Sequence, residues 1–225
     1  MVPTSILAVS SRRRNGEESL GDLAYQRIKE KIVSLDLPPA SLIDEAMISD
    51  EIGIGLTPIR QALRRLASER LVVILPRRGT LVADLNLSDL HKIFEMRIEL
   101  ETLAARLAAQ RANQEQVDAL WVITKQGLVF AGTGDNRQLI EIDRQIHLTI
   151  AQSAQNEFLE ETIEWLYNHV QRLWNLSIDR VDGLEQAMSE HQRMIGAIQN
   201  KDGERAAQLM REHVGHFQRR FKDIL

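Results

Sequence analysis

The chain has no cysteine among its 225 residues. Disulfides and thiolate metal sites are therefore excluded, any bound ion must be held by nitrogen or oxygen, and a reducing cytoplasm is the expected location. No stretch approaches the roughly 20 consecutive apolar residues a membrane helix needs, so no membrane partner is expected. Aromatic residues are scarce, at 4%, as in many helical proteins. An export signal is not expected at the start. The short apolar run Ile6 to Val9 precedes Arg12, Arg13 and Arg14, the reverse of the order a secretory signal uses. Residues 1–19 are expected to be a flexible, solvated tail.

What is present describes a globular protein: 44% of residues are apolar and 27% charged. The length suits two domains, which the patterning divides at 20–84 and 85–225. Net charge is −4, yet residues 56–80 hold Arg60, Arg64, Arg65, Arg70, Arg77 and Arg78 against Glu69 alone. A local basic patch on an acidic chain is the footprint of a nucleic-acid contact.

The clearest single element runs from Gly53 to Leu71. Thr57 is placed to cap a helix and Pro58 to occupy its first position, where a missing N–H costs nothing. Ile59, Ala62, Leu63, Leu66 and Ala67 recur at helical spacing, while Thr57, Arg60, Gln61, Arg64 and Ser68 share the opposite face. The helix dipole disfavours Arg60 in the first turn by a few tenths of a kcal/mol, which an anionic partner would explain. Such a helix, roughly 20 Å long, fits a DNA major groove about 12 Å wide.

The surroundings complete a DNA-binding unit. Leu23, Ala24, Ile28, Ile32 and Leu35 predict a first helix that ends before Pro38-Pro39, and Asp44 caps a second that runs to about Ile52. Leu71 to Leu75 and Thr80 to Ala83 predict a hairpin whose tip is Pro76-Arg77-Arg78-Gly79. This is a winged helix-turn-helix pattern. Thr57, Arg60, Gln61 and Arg64 are its candidates for base and phosphate contact, with Arg77, Arg78 and Gly79 in the wing.

Beyond residue 85 the pattern is helical throughout, with starts at Ser88, Asn113, Asp135, Asn156, Asp182 and Asp202, and no alternating run suggests a sheet. The expected fold is therefore mainly α, with an all-α six-helix bundle as the second domain. Several polar residues interrupt its apolar stripes. Asp143 and His147 lie between Leu139, Ile146 and Ile150, and His191 sits within Leu184, Ala187, Met188, Met194, Ile195 and Ile198. His213 falls at the margin of the face formed by Ala206, Met210, Val214, Phe217 and Phe221, with His216 turned further away. A lone histidine on such a face is an ordinary hydrogen-bonded core residue, but three histidines and an aspartate converging would be satisfied together by one divalent ion. Zn²⁺, Ni²⁺ and Mn²⁺ all remain open. Arg97 interrupts the stripe Leu90, Ile93, Phe94, Glu101, Ala104 and Ala108. It reads either as an internal pair with Glu101 or as an anchor for an acidic effector. His169, flanking the fourth stripe, reads as a half-buried structural residue or a pocket lining.

Two resemblances cover nearly the whole chain after residue 19. Thr57-Pro58-Ile59-Arg60-Gln61-Ala62-Leu63-Arg64-Arg65-Leu66 is similar to the T-P-V-R-E-A-L-x-R-L signature of the GntR family of bacterial transcription regulators, and Arg77 to Val82 to its wing. There are two departures. Gly55-Leu56 stands where the family has Ser-Arg, and Pro39-Ala40 where it has Pro-Gly. The second half resembles the FCD effector domain of the FadR branch, in the shorter VanR-like subgroup. The segments Asp143 to Asn156 and Glu190 to Ile198 carry that likeness. The resemblance implies Asp143, His147, His191 and His213 as metal ligands. It also implies a homodimer on a palindromic double-stranded operator, a small organic acid as effector near the metal, and more often repression than activation. A metal-dependent enzyme acting on a small carboxylate, and a regulator with a purely structural ion, are the rival readings. No enzymatic activity is expected, because an enzyme would leave the basic winged helix unexplained.

Overall fold

The computed structural model describes residues 19–178 and 183–224. The tail before Ser19, Asp182 as a helix start and the side chain of Phe221 lie outside the described residues. Among those described are nine helices and one small sheet. The chain runs through α1 (Leu20–Val33), β1 (Leu42–Ile43), α2 (Glu45–Ile52), α3 (Leu56–Ser68), β2 (Val72–Leu75) and β3 (Gly79–Val82). It continues with α4 (Leu87–Arg111), α5 (Gln114–Phe130), α6 (Asn136–Ser153), α7 (Glu157–Leu176), α8 (Leu184–Gln199) and α9 (Gly203–Ile224).

In the first half, Ser19 caps α1 by accepting from the Asp22 N–H, and Asp44 caps α2 by accepting from the Ala46 and Met47 N–H groups. Gly53 ends α2 with φ +69°, a left-handed conformation that glycine adopts without strain. The start of α3 differs from expectation. Gly55, which has no side chain to offer, is the N-cap, and Leu56 and Thr57 are already helical. Pro58 is therefore the third helical residue, tolerated because the whole first turn has no intrahelical partner for its N–H groups. The hairpin forms as expected, but it is part of a larger sheet. Leu42 and Ile43 pair antiparallel with Leu81 and Thr80, giving the strand order β1-β3-β2. Ala40 turns the chain into that pairing at φ +61°, a strained conformation for a residue with a Cβ. Ala24, Ile28 and Ile32 of α1, Ile48 of α2, and Ile59, Leu63 and Leu66 of α3 close one apolar core with Val72 and Val82. Full burial of each large aliphatic chain contributes about 1.5–3 kcal/mol.

The second half is the expected six-helix bundle with its own core. Asn113, Asp135 and Asn156 cap α5, α6 and α7 as their positions suggested, Asn113 in a reciprocal box with Gln116. Asp202 does the same for α9, accepting from the Arg205 N–H at 3.0 Å. For α4 the cap is Asn86 rather than Ser88; the Ser88 N–H is one of the groups Asn86 satisfies. Helix α4 packs along α9 and also touches α6, α7 and α8, so it lies at the centre of the bundle. Gly127 lets α5 approach its neighbours, since a Cβ there would stand 2.4 Å from Met188 Sδ and 3.1 Å from Ile142. None of the described helices is long and apolar enough to cross a membrane.

Candidate metal centre and nucleic-acid interface

Three helices converge on one buried point. Asp143 and His147 stand one turn apart on α6, His191 comes from α8 and His213 from α9, and all four are buried. His213, expected at the margin of its face, is only 1% exposed, because α9 is covered along its length by α4 and α8. The His147 Nε2 lies 3.0 Å from His213 Nε2 and 3.2 Å from His191 Nε2. Asp143 Oδ1 stands 3.7, 3.5 and 3.7 Å from the Nε2 atoms of His147, His191 and His213. Donors bound about 2.1 Å from one ion are about 3.0 Å apart on neighbouring octahedral positions and about 3.4 Å apart on a tetrahedron. The four atoms therefore have the spacing of one coordination sphere.

The partners behind these groups decide which atoms face inward. His147 Nδ1 hydrogen-bonds Glu101 Oε2, and His213 Nδ1 meets Glu190 Oε2 at 2.9 Å. A carboxylate only accepts, so each Nδ1 carries a proton, and in the neutral ring each Nε2 then presents a lone pair to the centre. Lone pairs at 3.0 Å repel unless a cation or a proton lies between them. Asp143 has one oxygen satisfied and one not: its Oδ2 accepts from the Tyr167 hydroxyl, while its Oδ1, buried and aimed at the three imidazoles, has no hydrogen-bond partner among the described residues. An uncompensated buried carboxylate oxygen is costly, and a divalent ion is the partner this donor set suits.

Charge follows the same geometry. Burial works to raise the Asp143 pKa, but the imidazoles around it, His147 first and then His213, outweigh it and hold the carboxyl well below its ordinary range. Burial also opposes ionisation of Glu101, yet Arg97 and His147 hold it at about 2. His191 is driven well below the usual histidine value by burial, with His213 adding to the effect, so its imidazole is neutral.

Of the two effector candidates, Arg97 pairs with Glu101, Nε to Oε1 at 2.5 Å, with both side chains buried. The internal pair is thus present. The guanidinium also lies 4.5 Å from the Tyr167 ring centroid, which brings it to the edge of the cluster. His169 lies elsewhere. Its Nε2 donates to the Glu69 carbonyl at 2.9 Å and its ring meets that of Trp165, so its described contacts are at the seam between the two halves.

On the first half, Thr57, Arg60, Gln61 and Arg64 are all exposed on one face of α3, and Arg77, Arg78 and Gly79 are exposed at the hairpin. Arg60 Nε meets Glu45 Oε2 at 2.7 Å. Arg77 has φ +63° and Gly79 φ +95°; at Gly79 a side chain would also come within 3.2 Å of Leu42 Cδ1, so β3 begins on a residue that only glycine fills easily.

Sequence reasoning missed Tyr167 and Glu190 altogether and saw Glu101 only as a partner for Arg97. Glu190 precedes His191 directly, and Tyr167 lies in a stripe with Ile163 and Val170, so neither carries a spacing signal of its own. The donors Trp165, His169, Arg172 and Asn175 did offer one, since they recur at i, i+4, i+7 and i+10 on one face of α7.

Residues 92–216 match the FCD domain family, and residues 20–82 match the family described as bacterial regulatory proteins, gntR family. The chain is 26% identical over 208 residues to the uncharacterized HTH-type transcriptional regulator YdhC of Bacillus subtilis, covering 89% of this chain and 90% of that protein. It is 26% identical over 198 residues to the HTH-type transcriptional repressor GlaR of Escherichia coli, covering 84% and 90%. Among solved structures, E. coli McbR/YncC superposes with a TM-score of 0.81 at 21% identity, over 92% of this chain and 99% of that one.

Proposed function

The chain belongs to the gntR family of bacterial regulatory proteins, a DNA-binding transcriptional regulator with an FCD domain, and from that premise we propose a metal-dependent repressor that a small organic acid controls. It binds a palindromic operator as a homodimer, with α3 of each protomer in the major groove and the Arg77-Arg78 tip on the backbone or the adjacent minor groove. Arg60, Gln61 and Arg64 supply base and phosphate contacts, with Thr57 at the helix start. Arg60 is held by Glu45 until a phosphate or a base edge replaces that partner. The regulator represses, as the name of the similar E. coli repressor GlaR suggests.

The sensing half is the Asp143, His147, His191 and His213 cluster, and the observation that carries it is the buried Asp143 Oδ1, without a hydrogen-bond partner among the described residues, facing the Nε2 atoms of three imidazoles. A divalent ion there, Zn²⁺, Ni²⁺ or Mn²⁺, supplies a Lewis-acidic anchor for a carboxylate or hydroxyl. Glu101 and Glu190 orient His147 and His213, Tyr167 orients Asp143, and Arg97 adds a permanent positive charge that an acidic ligand recognises. His169 is assigned to the seam rather than to the effector. The ligand acts by binding the operator-competent and operator-incompetent arrangements with different affinity, which alters the fit to half-sites about 34 Å apart.

The test is an operator-binding titration on the full-length protein, using duplexes from its own genomic neighbourhood, with candidate organic acids added. A salt-sensitive complex that at least one acid releases is the expected result. Binding that no acid loosens or tightens would leave a constitutive regulator with a structural ion, and no binding to any duplex would remove the reading altogether.

A further inference from the structure

Helix α7 touches both halves of the molecule, one with each of two opposite faces. On its inner face, Tyr167 gives its hydroxyl to Asp143, and its ring lies under Arg97. On its outer face, Trp165 Nε1 and His169 Nε2 both donate to a single acceptor, the Glu69 carbonyl, each at 2.9 Å. Glu69 is the C-cap of α3, the helix read above as the one that enters the groove. At 100° per residue Tyr167 lies about 200° around the helix from Trp165, so the two contacts point in nearly opposite directions.

The same outer face continues along the first half. Arg172 Nη2 donates to the Ala83 carbonyl, Asn175 Nδ2 donates at 2.8 Å to the carbonyl of Val33, the last residue of α1, and Glu164 pairs with Lys29 at 3.1 Å. Helix C-termini leave carbonyls without intrahelical partners. Here the ends of both α1 and α3 are met by donors from the other half of the molecule. These bonds fix where the first half sits, because a carbonyl shared by two donors tolerates little displacement before one of them is lost.

We propose that α7 is the coupling element of this regulator, with Tyr167 registering the arrangement at Asp143 and with Trp165 and His169 as positioning residues that pass it to the end of α3. The inference rests on the sensing cluster proposed above and adds the route. A change in where Asp143 is drawn moves or frees the Tyr167 hydroxyl. A packed 20-residue helix responds by shifting rather than bending, and the Glu69 carbonyl is the first point of the DNA-binding half to register it. Neither Trp165 nor His169 needs to touch DNA or ligand.

Hydrogen exchange read by mass spectrometry on the full-length protein tests this, with the probe being Zn²⁺, Ni²⁺ or Mn²⁺ alone added to chelator-treated material. In the unaltered protein, metal loading should slow exchange of the amides at 67–71 by about fivefold or more, the low end of ordinary coupling between sites. Tyr167→Phe keeps the ring and every proposed metal ligand; it should bind metal and lose that response. Trp165→Phe should also bind metal and lose it, whereas His169→Gln, which keeps an N–H donor, should retain most of it. Metal bound with no change at 67–71, or with the same change in Tyr167→Phe and Trp165→Phe, would overturn the coupling role and leave the metal site standing. Failure to bind any of the three ions would remove the sensing reading itself, and with it the signal α7 is proposed to carry.

Discussion

Arg60 and Arg97 are the same residue type, each beside a glutamate on a helix, yet the Arg60 side chain is 58% exposed and that of Arg97 is 3% exposed. The first half closes an apolar cluster and leaves Arg60 outside it, where water screens the charge and a partner can displace Glu45. The second half places charge inside. There Arg97, Glu101, His147 and Asp143 form a chain in which each member answers the next. The contrast is one of cost. An exposed pair contributes roughly 0–1 kcal/mol to stability, so its residues are free to be chosen for a ligand, whereas a buried charge must be matched or the fold suffers. The function proposed for the first half therefore lies on a surface, and that proposed for the second lies in the core.

The sharpest way to break this contrast is to remove one partner on each side. Arg97→Ala leaves Glu101 buried without its cation and should destabilise the protein by about 3–5 kcal/mol in denaturant unfolding, whereas Arg60→Ala should change stability by less than about 0.5 kcal/mol. Equal losses would mean that burial is not what separates the two halves. Next in size is Glu190→Gln, which leaves every proposed ligand in place but weakens the hold on the His213 imidazole. Metal affinity should fall by about 10–100-fold, measured by competition with a chromophoric chelator. Retained affinity would show that the carboxylate does not orient the ring.

Operator affinity then distinguishes the halves from the other side. Arg60→Ala should lose about 1–3 kcal/mol of specific binding while metal content stays unchanged. A variant that binds the operator as well as the parent would remove Arg60 from base recognition.

The smallest expected effect is in pH, at the seam where the halves meet. Burial lowers the His169 pKa; Arg172 on α7 and Arg70 beyond α3 lower it further, against the Glu69 carbonyl bond and Asp89 on α4, which raise it. The neutral imidazole is thus the folded form, and the unfolded chain binds the proton more readily. Its contribution to stability is complete above the ordinary histidine value of about 6.5 and is lost as pH falls through the lowered folded-state value. Melting curves of the parent and His169→Gln should therefore diverge over that window. Identical pH dependence would show that the group does not titrate with folding.

Much of this was legible in the chain itself. The five-position stripe of α3 and the turn residues of the hairpin are local signals, because helical and strand periodicity bury a face whatever the face meets. Asp143 and His147 share a helix, so their proximity follows from a four-residue spacing alone. The expected cap of α3 differs from the observed one for a local reason: Gly55 caps through backbone conformation and leaves no side-chain mark, while Thr57 offers the stronger signal two residues later.

What the linear order of residues determined, then, is which faces are apolar, where most helices begin, and which polar side chains interrupt a buried stripe. Three-dimensional packing alone decided that the imidazoles of His191 and His213 meet that of His147, since they lie 44 and 66 residues away from it. It also decided that Glu69 ends a helix where two donors from α7 wait, about a hundred residues along the chain. Periodicity is a property of neighbours in sequence, whereas a hydrogen bond or a coordination sphere depends on distance in space, and only the packing of α4, α6, α7, α8 and α9 together brings those distances below 4 Å.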